Sequence, residues 1–224
     1  YGFSILYGLA RTTNLDDIAR AVANSKSPAF HLAVALVFAG TGFKLTIVPF
    51  HMWAADVYEG APTPVTAYLS VASKAAGLAF AFQILFRLFG DWLPQWGALI
   101  AVLAAITMTL GNVVAIVQHN IKRFMAFSAI SQAGYFLLGF LGDANEGVPA
   151  MIFYLLVYVV SNLAVFAGIV WFANETGKEQ IEDYRGLSLT NPLTALCMMI
   201  GLFSLAGIPP LSGFVGKFFL FSIA

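Results

Sequence analysis

The sequence predicts an all-α, polytopic transmembrane helix bundle in which two helices are broken by proline. Three observations predict it. Sixty per cent of the 224 residues are hydrophobic and ten per cent charged, with a mean hydropathy of +0.84. A soluble domain carries about a quarter charged residues, so this chain has too little polar surface to face water. Its apolar residues fall in runs close to the roughly 20 residues that a bilayer-crossing helix needs. Two of these runs are interrupted, at Pro49 and at Pro209-Pro210, and a lysine stands near each break.

In chain order, residues 1–10 read as the end of a spanning helix. Asn14 then caps a short amphipathic helix with Asp16 and Asp17 in its first turn, where the helix dipole favours anions; it belongs at the interface. Spans follow at about 29–48, 64–89, 96–118, 124–141 and 149–173, and a last one starts near 192. The connectors carry the charges: Arg87 and Asp91, Lys122-Arg123, Asp143 and Glu146, then KEQIEDYRG. Trp92 and Trp96 mark one membrane boundary and Trp171 another, as an aromatic belt predicts. Arg11, Arg20, Lys26 and Arg87 fall on one side, and Lys122, Arg123, Lys178 and Arg185 on the other. The positive-inside rule therefore does not orient the bundle. The chain opens in the apolar run YGFSILYGLA and stops in FFLFSIA, so residues 1–224 read as one membrane domain of a longer protein, cut within helices.

Several chemistries find no support. Formal charge is zero, which gives nucleic acid no basic surface. The single Cys197 permits no internal disulfide and reads as a small buried hydrophobe. There is no CxxC, no metal-spaced His/Cys cluster, no GxGxxG and no Walker A string, so this chain is expected to bind no cofactor and no metal.

Lys44, Lys74 and Lys217 lie inside segments that read as membrane-spanning. A charged side chain in hydrocarbon is costly and marks an ion or proton path by default. Burial disfavours a charged amine and a nearby carboxylate restores it, so moving such a partner loads and unloads a proton. Snorkelling is the alternative for each lysine, and the depth of Lys74, beside Ser70, Ser73 and Gly77, argues against it. Proline removes an amide donor and clashes with the preceding turn. The carbonyls it frees need polar partners inside protein or beside a wet cavity. They are expected to face Lys44, Lys217, polar side chains or water, and to be shielded from lipid; an ordinary kink is the alternative. Interrupted segments in corresponding parts of two halves point to an ion site in an inverted repeat. The three lysines are expected to form a row parallel to the membrane, with Lys74 between the other two.

Other polar residues are weaker candidates. His51 follows the first break, near Asp56 and Glu59. It either passes protons near neutral pH or satisfies broken-helix carbonyls, while the two carboxylates cap or line the re-entrant turn. His31 and His119 stand at helix ends. Ser128, Ser131 and Gln132 share one side of a span, where they hold water or pack helices. Ser161-Asn162 suggests an interhelical hydrogen bond.

The string GFKLTIVPFHMWAADVYEGAPTPVTAYLSVASKAAG resembles the proton-translocating module of the antiporter-like subunits of respiratory complex I, an NADH:quinone oxidoreductase. HNIKRFMAFSAISQAGYFLLG and SLAGIPPLSGFVGKFFLF resemble that family's next signatures, in the right order and over nearly the whole chain. The resemblance implies an antiporter-like fold of two inverted five-helix repeats. It makes Lys44 the lysine of the first broken helix, Lys74 the connecting lysine and Lys217 the lysine of the second broken helix, beside the exit route. The family's essential glutamate, partner of the first lysine, would precede Tyr1. The resemblance further implies a non-redox, proton-pumping subunit of a translocase in a bacterial inner membrane. Other complex I membrane subunits are its expected partners. NADH, quinone, FMN and iron–sulfur clusters are expected only in partner subunits. It places the connectors with Glu59, Lys122-Arg123 and Tyr184-Arg185 on the cytoplasmic side. A multisubunit cation/proton antiporter or a membrane-bound hydrogenase sharing the module is the alternative. A non-conducting structural subunit is the third, which three buried lysines would argue against.

Overall fold

A computed structural model describes residues 1–23, 25 and 27–224, without the side chains of Asp91, Leu93, Pro94 and Gln95. Lys26 and the Asp91 side chain, counted above among the connector charges, lie outside the described residues. The described residues fold into α-helices α1 (Gly2–Ala10), α2 (Leu15–Val22), α3 (Pro28–Leu45), α4 (Met52–Gly60), α5 (Thr63–Tyr68) and α6 (Lys74–Phe82). They continue with α7 (Leu93–Ile116), α8 (Ile121–Leu138), α9 (Ala144–Thr176), α10 (Leu187–Thr190), α11 (Pro192–Ala206) and α12 (Ser212–Ile223). Four stretches are long and apolar enough to cross a membrane among these residues: Pro28–Leu45, Thr63–Leu88, Trp96–Ile116 and Ala144–Thr176. Several helices outrun the apolar runs that predicted them, because hydropathy registers the part in hydrocarbon while backbone hydrogen bonds carry α9 through polar residues at both ends.

Local chemistry sets the helix starts. Asn14 accepts the amides of Asp16 and Asp17, and Asn120 those of Lys122 and Arg123. Pro28 and Pro192 occupy first turns, where the missing amide has no helical partner to lose. Within the Thr63–Leu88 span, Leu69–Ser73 and Gln83–Leu88 are π-helical. Such widened turns often mark functional positions, and the first delivers Lys74.

α8 is the hub. It packs along α7 and against α4, α9 and α12, and most of its residues are buried. Glycine makes the α7–α8 approach possible. A Cβ built on Gly134 would lie 2.6 Å from Met108 Cγ and 2.8 Å from the Met108 amide nitrogen; one on Gly111 would lie 2.6 Å from the Ser131 amide nitrogen. The contacts to the Met108 and Ser131 amide nitrogens are backbone contacts that no rotamer change relieves. Overpacking of this kind costs about 1–3 kcal/mol or more. Gly134→Val is therefore expected to deplete the protein from membranes, measured by its steady-state amount, whereas Gly8→Ala, which meets nothing within 4 Å, leaves it at the native level.

The connectors gather into two sets. Arg87 forms a bidentate pair with Asp16, tying the end of the Lys74 span to α2. The Arg87 guanidinium holds the Asp16 carboxyl below the usual carboxylate range. The latch thus persists on the acid side of neutrality and is lost as pH falls through that lowered value. The other set joins the loop after α4, the start of α8 and the loop after α9. Asn120 bridges Gln180, and Lys122 reaches Glu179 at 2.7 Å and the Ala61 carbonyl at 3.1 Å. These are the two sides that the sequence assigned to the connectors. Cys197, expected to be buried, is exposed: α11 turns Met198 and Gly201 inward against α9 and Cys197 outward.

Candidate functional site

Both proline interruptions break the helix outright. α3 ends at Leu45, Thr46 adopts the left-handed conformation (φ 63°), and α4 starts at Met52. α11 ends at Ala206, Gly207 takes φ 83°, and α12 starts at Ser212. Gly207 suits that φ, since it has no Cβ to clash. Val48-Pro49 and Pro209-Pro210 are cis peptides.

The prolines select the carbonyls that become free. In an α-helix the amide of residue i bonds the carbonyl of residue i−4, and proline has no amide proton. Pro49 thereby frees the carbonyl of Leu45, Pro209 that of Leu205, and Pro210 that of Ala206. Lysines take all three. Lys74 Nζ donates to the Leu45 carbonyl at 3.3 Å and to Thr46 Oγ1 at 2.7 Å. Lys217 Nζ donates to the Leu205 carbonyl at 2.7 Å and to the Ala206 carbonyl at 3.2 Å. It also lies 4.1 Å from the centre of the Tyr135 ring, a cation–π contact. Both lysines are buried, at 3% and 9% exposure.

Buried polar side chains continue from each lysine. One turn before Lys74, Ser70 accepts the Asn162 amide at 2.9 Å, and the Ser70 carbonyl accepts the Tyr158 hydroxyl at 2.9 Å. At the second break, Gln132 Nε2 donates to the same Leu205 carbonyl at 3.1 Å, and the Tyr154 hydroxyl donates to Gln132 Oε1. Ser161 and Ser204 share a hydroxyl hydrogen bond of 2.7 Å. Tyr154 and Tyr158 stand one turn apart on α9, with the Phe136 ring 5.0 and 6.0 Å from theirs. The interhelical role expected of Ser161-Asn162 is met. The two tyrosines gave no sequence signal beyond their place in an apolar run.

Two expectations need correction. Lys44 is exposed, not buried, and the first break is served by Lys74 instead. Thr41, Gly42 and Leu45 turn the inner face of α3 to the core, which leaves Lys44 on the outer face; its stem still crosses Gly77 of α6, where a Cβ would lie 3.2 Å from Lys44 Cγ. The freed carbonyls of both breaks turn inward onto lysine and glutamine donors, while the rings of Pro49, Pro209 and Pro210 face outward and are exposed. The second correction is that His51 does not join Asp56 and Glu59. Those carboxylates accept from Arg123 at 2.7 and 2.9 Å, since their face of α4 meets α8, and they hold the Arg123 guanidinium protonated above its ordinary value, Glu59 most strongly. His51 Nδ1 is buried without a hydrogen-bond partner, as is Ser131 Oγ. Among the described residues no three His, Cys, Asp or Glu side chains gather as a metal site requires.

Two broken helices, each with a buried lysine on its freed carbonyls, define an antiporter-like membrane module. The chain belongs to the NADH:quinone oxidoreductase/Mrp antiporter transmembrane family, whose profile matches residues 1–224. It is 51% identical over 227 residues to NADH-quinone oxidoreductase subunit N of Heliobacterium modesticaldum, an alignment covering 99% of this chain and 47% of that protein. It is 48% identical over 221 residues to NAD(P)H-quinone oxidoreductase subunit 2 of a Synechococcus species, covering 99% and 42%. Among solved structures, it is similar to a chain of respiratory complex I from Thermus thermophilus with bound Aureothin (TM-score 0.78, 33% identity, 100% of this chain and 48% of that one). It is also similar to a chain of the Mrp complex from Dietzia (TM-score 0.89, 31% identity, 100% and 41%). The chain thus spans about half the length of these relatives.

Proposed function

We propose that this chain is the lysine-bearing part of a proton-translocating, non-redox membrane subunit of an NADH:quinone oxidoreductase. The observation that carries the reading is the pairing of Lys74 and Lys217 with the carbonyls freed by Pro49, Pro209 and Pro210. A protonated amine held by carbonyl oxygens, with no carboxylate paired to it among the described residues, is a cation site that releases its proton when its surroundings change. The similarity to subunit N proteins supports the choice of complex. In this reading protons pass by way of Lys44, Lys74 and Lys217, and Lys44, on the outer face beside α6, exchanges with whatever packs there. Asp56 and Glu59 support the first break only indirectly, by holding α4 to Arg123 of α8, and His51 follows the break as a candidate relay. The electron carriers NADH, quinone, FMN and iron–sulfur clusters belong to partner subunits, the neighbours are other membrane subunits, and the membrane is a bacterial plasma membrane with the Lys122-Arg123 side facing the cytoplasm.

The test is Lys44→Ala in the intact complex, in sealed vesicles. Assembly is expected to be retained and the proton-to-electron ratio to fall; a native ratio would count against the reading. The likeness to the Mrp chain favours a second reading, a subunit of a multisubunit cation/proton antiporter. Sodium-driven proton movement by the purified native complex, without NADH oxidation, would select it.

A further inference from the structure

The two lysine sites differ in the room around them. The space beside Lys74, walled by Leu45, Leu78, Ala133, Phe136 and Leu137, admits no water. Thr46 closes the site from within, its hydroxyl donating to the Leu45 carbonyl at 2.5 Å while accepting from Lys74. Lys217 instead borders a cleft of about 510 Å³, lined among others by Asn112, Ser128, Gln132 and Tyr135. Its stem crosses Gly207, where a Cβ would lie 2.9 Å from Lys217 Cδ, so residue 207 puts no side chain against the stem.

The Leu205 carbonyl has two donors, Lys217 at 2.7 Å and Gln132 at 3.1 Å. A carbonyl oxygen has two lone pairs and accepts both. A buried carbonyl stripped of every donor is costly, yet Gln132 keeps Leu205 satisfied when Lys217 leaves. Ala206, the other acceptor, is exposed and lines the same cleft. Gln132 is itself fixed, since its Oε1 accepts the hydroxyl of buried Tyr154, which directs the NH2 group at the carbonyl.

We propose that Gln132 is a positioning residue, a stand-in donor that lets Lys217 swing from the Leu205 and Ala206 carbonyls into the cleft and back. This rests on the proton-path reading and adds to it: Lys217 is the mobile member of the path and Lys74 the fixed one. Without Gln132, departure of Lys217 strands Leu205 and the lysine stays in.

The experiment is reductive methylation of the native, resting complex with formaldehyde and cyanoborohydride, followed by peptide mass spectrometry. A lysine reacts only when its amine reaches the aqueous reagent. In the native protein Lys217 is expected to react more slowly than surface Lys178 and faster than Lys74. In Gln132→Leu the Lys217 rate is expected to fall about three- to tenfold, the worth of one neutral hydrogen bond, while Lys178 and Lys74 are unchanged. Tyr154→Phe, which leaves the amide in place but unaligned, is expected to give a smaller fall of the same sign, and it carries the test if Gln132→Leu does not assemble. A merely structural glutamine predicts the opposite sign, because loosened packing exposes Lys217. A native Lys217 as inert as Lys74, or a rate unchanged or raised in the variants, overturns the proposal. No turnover is needed, so this outcome is independent of whether the lysines pump.

Discussion

Replacing Pro209 and Pro210 together with alanine is expected to straighten the second break and cut proton translocation per assembled complex about tenfold, while the protein still inserts. Proline in a helix interior is about 3 kcal/mol less favourable than alanine, so two replacements bias the segment strongly toward continuous helix. The new amides at 209 and 210 then have the Leu205 and Ala206 carbonyls as their i−4 partners, the two acceptors that Lys217 now uses. Lys217 would lose both. A buried ammonium without acceptors gives up its proton or leaves the site, and either outcome breaks the path. Translocation is read as proton movement in sealed vesicles, normalised to the amount of assembled complex. Native translocation with a continuous helix would mean that the break is incidental.

The sequence made the breaks and the lysines legible for a plain reason. Proline chemistry and the cost of charge in hydrocarbon are local properties that survive without coordinates. The connectors were legible as two groups because, the three span lysines apart, most charges fall in them, and Lys122, Arg123, Glu59 and Asp56 do assemble on one side. Which lysine serves which break was not legible. Proximity along the chain assigned Lys44 to Pro49, but one helical position separates the inner from the outer face of α3, and the amine that reaches Leu45 comes from 29 residues away. The π-helical turn before Lys74 and the tyrosines of α9 were likewise hidden. A π turn has no composition of its own, and Tyr154 and Tyr158 count as apolar in any hydropathy sum until their hydroxyls find Gln132 and Ser70.

The second large effect is expected at Lys74. Lys74→Met keeps the stem's length and apolar character in a site walled by Leu78 and Phe136, so packing survives. What is lost is the ammonium on Leu45 and Thr46; among the described residues the Leu45 carbonyl then retains the Thr46 hydroxyl alone. One weakened buried acceptor costs about 1–3 kcal/mol, too little to prevent assembly of a large membrane protein. Lys74→Arg is expected to fare no better than methionine, because the planar guanidinium is bulkier and cannot give up its proton, in a site with no spare room. A path that needs a releasable proton at this position fails in both variants.

The most direct measurement of the central claim, that amines on proline-freed carbonyls carry the translocated proton, is the rate of proton translocation per assembled complex in sealed vesicles bearing Lys74→Met. The account predicts normal amounts of complex and translocation at a tenth of the native rate or less, an effect of about 1.4 kcal/mol or more on the rate-limiting barrier. Native translocation by a fully assembled Lys74→Met complex would contradict it.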